Sequence, residues 1–327
     1  MSPRSHVIIA VVVFAAVVAS GFAQEPRLKV VRFAENPIIR PEMLPGEDGQ
    51  NINGPSLVKV PDWIAKPLGM YYLYFAHHNG KYIRLAYADR PAGPWTIYKP
   101  GVLSLKQAAG ANPKAGAHIA SPDVHVDEAR REIRMYFHCP VKGEGQSTMV
   151  AFSKDGLRFE PQPQVLGGPY FRVIPWGGWY YAVDRQGMIL RSKDGLTRFE
   201  KASDALAKAA EDKAIGASFR HGALTLDGDV LSVFLCRVGD SPEHILLSKI
   251  KLTPNPKGWN TSPPVKVLEP EKDYEGANMP IVKSKDGKTA PVRALRDPCI
   301  YREGDKTYLL YSVKGEYGIA IAEVEER

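Results

Sequence analysis

Two aspartates stand beside prolines at the start of apolar runs: Asp123 in Ser121-Pro-Asp-Val124 and Asp297 in Arg296-Asp-Pro298. A third carboxylate, Glu275, lies in Tyr274-Glu-Gly-Ala-Asn278, inside a proline-rich stretch. Carboxylates gathered on one cavity can activate water or protonate a leaving oxygen, so their convergence decides whether they do chemistry. Arg220-His221 opens another apolar run in the register of Arg296-Asp297, and Arg172 stands near the start of a further one. Asn53, His78 and His118 complete the polar candidates. His77 and His78 end one strand-like run, where neighbouring side chains face opposite ways, so at most one of them faces a given site. Each candidate also has a structural role open to it. An Asp beside Pro caps a turn through its own backbone. Glu275 on a loop is most simply solvated, and for His118 a pocket role and a structural hydrogen bond weigh equally.

The elements that must position these residues recur along the chain. A short Pro- or Gly-containing motif, an apolar strand, a turn, an aromatic-rich strand and a third alternating strand appear five times, starting at Asn53, Ala120, Gly167, Arg220 and Arg296. The first copy runs Asn53-Gly-Pro-Ser-Leu-Val-Lys-Val60, Met70-Tyr-Tyr-Leu-Tyr-Phe75 and Tyr82-Ile-Arg-Leu-Ala-Tyr-Ala88. Tyr, Val, Ile, Leu and Phe favour pleated, half-buried surfaces, and Gly, Pro and Asp-Gly pairs separate the strands. One sheet cannot cover both its faces alone, whereas radial stacking covers them. The expected class is therefore all-β, a five-bladed β-propeller spanning residues 24–327 as a single domain, with a pair of β-sandwiches as the alternative. Leu28–Phe33 is the candidate strand to complete the last blade. Ser203–Ala214 reads as one short helical insertion capped by Ser203. The stretch from Thr253 to Ala294, with seven prolines, reads as a long connection across one rim, where function tends to lie.

Residues 1–23 read as a secretory signal peptide: Arg4 and His6 precede an apolar run from Val7 to Ala19, and Ser20-Gly21-Phe22-Ala23 supplies small residues before a cleavage site. The run is shorter than the roughly 20 residues that a bilayer core requires. The expected location is secreted or periplasmic, with no membrane association after cleavage near Gln24. The formal charge of +7 over 327 residues is spread among acids with no long basic run, which argues against nucleic acid. Cys139, Cys236 and Cys299 are odd in number, sit in or beside apolar runs and suit buried free thiols. No Cys/His spacing suits zinc.

The strand motifs resemble those of five-bladed β-propeller glycoside hydrolases, glycoside hydrolase family 43 and its relatives. The resemblance covers almost the whole chain after the signal segment, and rests on Asn36-Pro-Ile-Ile39, Gly93-Pro-Trp95, Ser121-Pro-Asp-Val124 with Met135-Tyr-Phe137, and Arg296-Asp-Pro298 with Tyr308-Leu-Leu-Tyr311. It implies three carboxylates around an axial pocket: a base, an aspartate that tunes the acid, and a glutamic acid. Asp123 matches the tuning aspartate's motif, but Gly54 stands where the base belongs and Gly167 where the acid belongs. The replacements read from this chain are Asp297 as base and Glu275 as acid, with Asp123 as electrostatic tuner or sugar ligand. Asn53, His78, His118, Arg172, Arg220, His221 and Arg296 are the expected substrate contacts, and inward arginines suit an acidic sugar. The resemblance thus implies an exported glycosidase acting on a polysaccharide or oligosaccharide. The alternative is a glycan-binding propeller that has lost two of three carboxylates, and a scaffold for protein partners has no positive feature. No cofactor is required; an axial calcium ion is compatible with the resemblance, although no calcium-loop spacing occurs.

Overall fold

The computed structural model describes residues 28–287 and 290–326; the expected signal peptide, residues 1–23, lies outside the described residues. Counting β1 (Leu28–Arg32), the strands fall into five four-stranded antiparallel sheets. Blade 1 holds β2 (Asn53–Lys59), β3 (Tyr71–Ala76), β4 (Tyr82–Ala88) and β5 (Thr96–Ser104). Blade 2 holds β6 (Ala120–Asp127), β7 (Glu132–Val141), β8 (Gly145–Ser153) and β9 (Glu160–Pro161). Blade 3 is β10 (Arg172–Trp176), β11 (Trp179–Val183), β12 (Ile189–Ser192) and β13 (Glu200–Ser203). Blade 4 is β14 (Ser218–Asp227), β15 (Val230–Val238), β16 (Ile245–Lys251) and β17 (Val265–Leu268). Blade 5 is β18 (Arg296–Glu303), β19 (Lys306–Ser312), β20 (Ile319–Glu326) and, on its outer edge, β1, with Val30 opposite Val324. The chain's first described strand therefore closes the ring onto its last blade, and a five-bladed β-propeller results.

Strand alternation explains why blades stack. On β3, Tyr72 and Tyr74 face blade 2 and pack in one cluster with Val124, Ile133, Met135 and Phe137. Leu73 and Phe75 point the other way, into a cluster with Tyr308, Leu310 and Ile321 of blade 5. Similar apolar clusters fill the gaps between blades 2 and 3, 3 and 4, and 4 and 5. Both faces of each sheet are thus removed from water, at roughly 25 cal/mol per Å² of apolar surface. The three cysteines are free and buried, and burial pushes the Cys139 and Cys299 thiols up to about 11. No described helix is long and apolar enough to cross a membrane.

Two local expectations change. The helical insertion is shorter than its sequence pattern, α2 (Ala205–Ala210) beginning after Asp204; the Ser203 hydroxyl accepts only the Ala205 N–H. It is preceded by α1 (Leu105–Ala111), started by a capping box in which Ser104 and Gln107 satisfy each other's backbone N–H. The 253–294 stretch is also more than a connection, because β17 completes blade 4 within it.

Candidate active site: a ring of five blade starts

The innermost strand of each blade begins near the propeller axis, and there the chain does something unusual. Pairing between first and second strands slips between Asn53 and Ser56, Ala120 and Asp123, Phe219 and His221, and Arg296 and Cys299. Such bulges re-aim a side chain. Gly54, Ser121, Tyr170 and Asp297 adopt left-handed backbone, with φ of 60°, 53°, 64° and 48°. For a residue with a side chain this conformation costs about 1–3 kcal/mol and concentrates at functional sites. Two residues beyond each of these positions, Ser56, Asp123, Arg172 and Cys299 line one axial cavity of about 190 Å³, with Ala223 from blade 4. The same two-residue offset places His221 in blade 4's corresponding position. Gly54, Ser121, Tyr170, His221 and Asp297 therefore form a ring, one residue per blade.

Contacts around the ring agree with this register. A Cβ on Gly54 would lie 3.5 Å from the Ser121 Cα. The Tyr170 and His221 rings are 4.9 Å apart, and His221 Nδ1 is 2.6 Å from Asp297 Oδ1. Blades 1 and 2 thus present almost no side chain, while blades 3, 4 and 5 present a phenol, an imidazole and a carboxylate. The polar side chains of the ring are thus gathered on blades 3, 4 and 5.

Burial pushes the Asp297 carboxyl up, but His221, Arg220 and Arg296 outweigh it and hold the group well below the ordinary carboxylate range. Burial lowers His221, so its imidazole is neutral and donates Nδ1–H to the Asp297 carboxylate. The other carboxylate oxygen accepts the Ser312 hydroxyl at 3.1 Å. Among the described residues, His221 Nε2 has no hydrogen-bond partner. It is the free acceptor of the pair.

A charged lattice backs this wall. Arg296 bonds Glu243 at 2.7 Å and Glu316 at 3.2 Å, and Arg220 lies 3.6 and 3.7 Å from the same two glutamates. Glu316 also accepts from Asn51 and Asn53 and faces His78 Nδ1 at 3.5 Å. Burial pushes the Glu316 carboxyl up, but His78 and Arg296 prevail over burial and the Asp297 charge, leaving it at about 2. On the other flank, Tyr170 stacks on His138 at 4.5 Å, and His138 meets His118 at 3.2 Å between Nε2 atoms. Burial lowers both imidazoles, His138 to about 3, so this flank is uncharged at neutral pH.

Asp297, His221, Arg220, Arg296, Asn53, His78 and His118 thus converge, directly or through one partner. Three expectations do not hold as read. Glu275 is fully buried beneath the outer edge of blade 5, where Arg32 on β1 grips it at 2.7 and 3.2 Å, the Tyr311 hydroxyl at 2.8 Å, and the Glu271 and Lys272 N–H groups complete its shell. It has no face on the ring. The rim connection reaches the ring through other residues: the Ser284 hydroxyl bonds Glu243, and the Lys285 and Gly287 carbonyls accept from Arg220 and Arg296.

Asp123 and Arg172 lie one step deeper, on the axial cavity. Asp123 accepts from His125 Nε2 and the Val173 N–H, both at 2.8 Å; burial pushes its carboxyl up, but His125 and Arg172 more than offset this. Ser121, rather than Asp123, occupies the blade-start register. The arginines also do not form a free cationic patch, because Arg220 and Arg296 face Glu243 and Glu316 two against two. That removes the basis for expecting an acidic sugar.

The third-blade position is corrected too. A Cβ on Gly167 would strike the Phe171 ring at 2.6 Å, so no acidic side chain fits there. One carboxylate stands nearby: Asp184 Oδ2 is 3.5 Å from where a Cβ on Gly168 would be. Its Oδ1 accepts the Gln186 and Met188 N–H groups, and burial raises it above the ordinary value against their pull. Among the described residues, no group of three or more His, Cys, Asp and Glu side chains is arranged to hold a metal ion.

No family model matches this sequence. Over 318 residues it is 37% identical to an uncharacterized protein of Acanthamoeba polyphaga mimivirus, covering 90% of this chain and 89% of that one. The chain belongs to the family of that viral protein. Its fold is that of the family-43 glycoside hydrolases. A thermostable family-43 glycoside hydrolase superposes with a TM-score of 0.58 at 13% identity, over 84% of this chain and 89% of the other. An exo-1,5-alpha-L-arabinanase from a bovine ruminal metagenomic library gives 0.52 at 12% identity, over 84% and 93%. A GH43_1 enzyme from Xanthomonas citri gives 0.54 at 13%, over 85% and 88%.

Tyr170, Glu243, Glu316 and His138 are the site residues that sequence reading missed. A signal for the two glutamates exists: Glu243 and Glu316 each precede the third strand of their blade by two or three residues.

Proposed function

We propose that this chain is a glycosidase that hydrolyses an O-glycosidic bond of a neutral oligosaccharide or polysaccharide at the ring of blade starts. The observation that carries the reading is the 2.6 Å Asp297–His221 pair facing the bare Gly54–Ser121 half of the ring. Asp297 fixes the imidazole in the tautomer whose Nε2 accepts a proton, and it stabilises the imidazolium that forms. Water attacking the anomeric carbon gives up its proton to His221. The family-43 frame supports a carbohydrate substrate, and the charge-balanced wall supports an uncharged one. No bound metal or cofactor is needed for this step.

A second reading, glycan binding without turnover, is favoured by one observation: Asp297 and Glu316 are both held below the ordinary range, so neither carboxyl carries a proton to donate at neutral pH. Release of reducing sugar from arabinan, xylan and their oligosaccharides separates the two. Hydrolysis by the wild type, lost in Asp297→Asn, is expected; retention of a glycan on an affinity gel with no product from any substrate selects the binding reading. Export belongs to the same proposal, supported by the Val7–Ala19 run and the small residues before Gln24. A mature N-terminus near Gln24 in the secreted or periplasmic fraction is the expected result, and an intact Met1 in the cytoplasm contradicts it.

A further inference from the structure

The proposed hydrolysis needs a group that gives the leaving oxygen a proton, and neither ring-facing carboxylate can be that group. Blade 3 supplies the alternative. Tyr170 occupies the same ring position as Asp297, at the same left-handed backbone geometry. Its ring is held between His138 at 4.5 Å and His221 at 4.9 Å. Among the described residues, its hydroxyl has no hydrogen-bond partner. A tyrosine in left-handed backbone pays conformational energy that a glycine would avoid, yet here it sits half-buried, clamped in one orientation, with its polar tip unspent.

We propose that Tyr170 is the proton donor to the departing sugar oxygen, standing in for the carboxylic acid that is missing from the Gly167 position. Burial, with the Asp297 and Glu316 charges adding to it, pushes the phenol up to about 12, so it carries its proton throughout the neutral range. The step balances. Water's oxygen bonds the anomeric carbon, and its proton goes to His221 Nε2. The glycosidic C–O bond breaks, its electron pair leaves with the sugar oxygen, and that oxygen takes the Tyr170 proton. The phenolate then recovers a proton from the His221 imidazolium beside it, which restores both groups.

This inference rests on the hydrolytic reading, and the test keeps the two apart. Kcat/KM is measured for wild type, Tyr170→Phe and Asp184→Asn on paired substrates with the same sugar, α-L-arabinofuranose or β-D-xylose: a 4-nitrophenyl glycoside and a methyl glycoside. The 4-nitrophenolate departs without protonation, whereas methoxide does not. Tyr170→Phe keeps the ring and both stacking contacts, and its fold is checked by thermal melting. A loss of about 10²-fold or more on the methyl glycoside with less than about tenfold on the 4-nitrophenyl glycoside is expected, the scale of general-acid catalysis. Equal losses on both, as a purely structural role produces, overturn the assignment. So does a leaving-group-dependent loss that appears in Asp184→Asn instead. A wild type that cleaves neither substrate nor any polysaccharide overturns the hydrolytic reading itself, and the donor with it.

Discussion

Two buried carboxylates, Asp297 and Glu275, are each held by side-chain donors, and they lie in very different parts of the molecule. Glu275 joins the outer strand of blade 5 to the rim connection, and every bonding direction of its carboxylate is taken by Arg32, Tyr311 or backbone N–H. Asp297 is similarly satisfied, but by an imidazole that passes an unspent nitrogen onward to the ring. Burial and side-chain hydrogen bonds are common to both. What separates a lock from a site is the valence left over, together with the strained backbone and the bare neighbours opposite.

The largest effect expected from breaking this contrast is on turnover. Asp297→Asn disturbs the tautomer of His221 and should lower kcat/KM by at least about 10²-fold, while the circular dichroism spectrum stays that of the wild type. Activity within threefold of wild type would place the chemistry elsewhere. Glu275→Ala should behave in the opposite manner. It leaves Arg32 only Glu271 and the Glu269 carbonyl and strips the buried Tyr311 hydroxyl of its acceptor, which should cost about 2 kcal/mol of unfolding free energy, read by denaturant titration, with kcat/KM of the folded fraction unchanged. A loss of turnover without a loss of stability would return Glu275 to the site.

Smaller changes sharpen the picture. Gly54→Ala forces an L side chain into left-handed backbone and should cost about 1 kcal/mol, because its Cβ meets nothing closer than 3.5 Å. By adding a side chain to the bare half of the ring it should raise KM more than it lowers kcat, and an unchanged KM would show that sugar does not pass over Gly54. The last change is a pH dependence. Glu316 titrates at about 2 in the folded protein against 4.5 ordinarily, so it contributes stability that is full above about pH 4.5 and is lost as pH falls towards 2. The melting-temperature gap between wild type and Glu316→Gln should therefore close on acidification over that window; a gap that widens contradicts the ionised assignment.

The propeller was legible in the sequence because each blade repeats the same alternation of apolar residues and turns, and covering both faces of every sheet leaves few arrangements. Asp297, His221, Arg220 and Arg296 were legible for the same reason, since they occupy repeat positions. Tyr170 was not, because Gly167-Gly-Pro drew the blade-3 start three residues too early, and only the backbone geometry and the shared axial cavity restore the register. Glu275 was misread because its partner Arg32 is 243 residues away, a pairing no local pattern announces. Arg220 and Arg296 looked like an anion site because the glutamates that neutralise them stand on strand connections outside the aligned motif.

The most direct test of the ring as the sugar site is a crystal structure of the Asp297→Asn protein with an arabino- or xylo-oligosaccharide. A sugar ring lying over Gly54 and Ser121, with its glycosidic oxygen within about 3 Å of the Tyr170 hydroxyl, is the predicted result. A sugar seated in the axial cavity beside Asp123 and Arg172, or on an outer blade face with the ring empty, would contradict it.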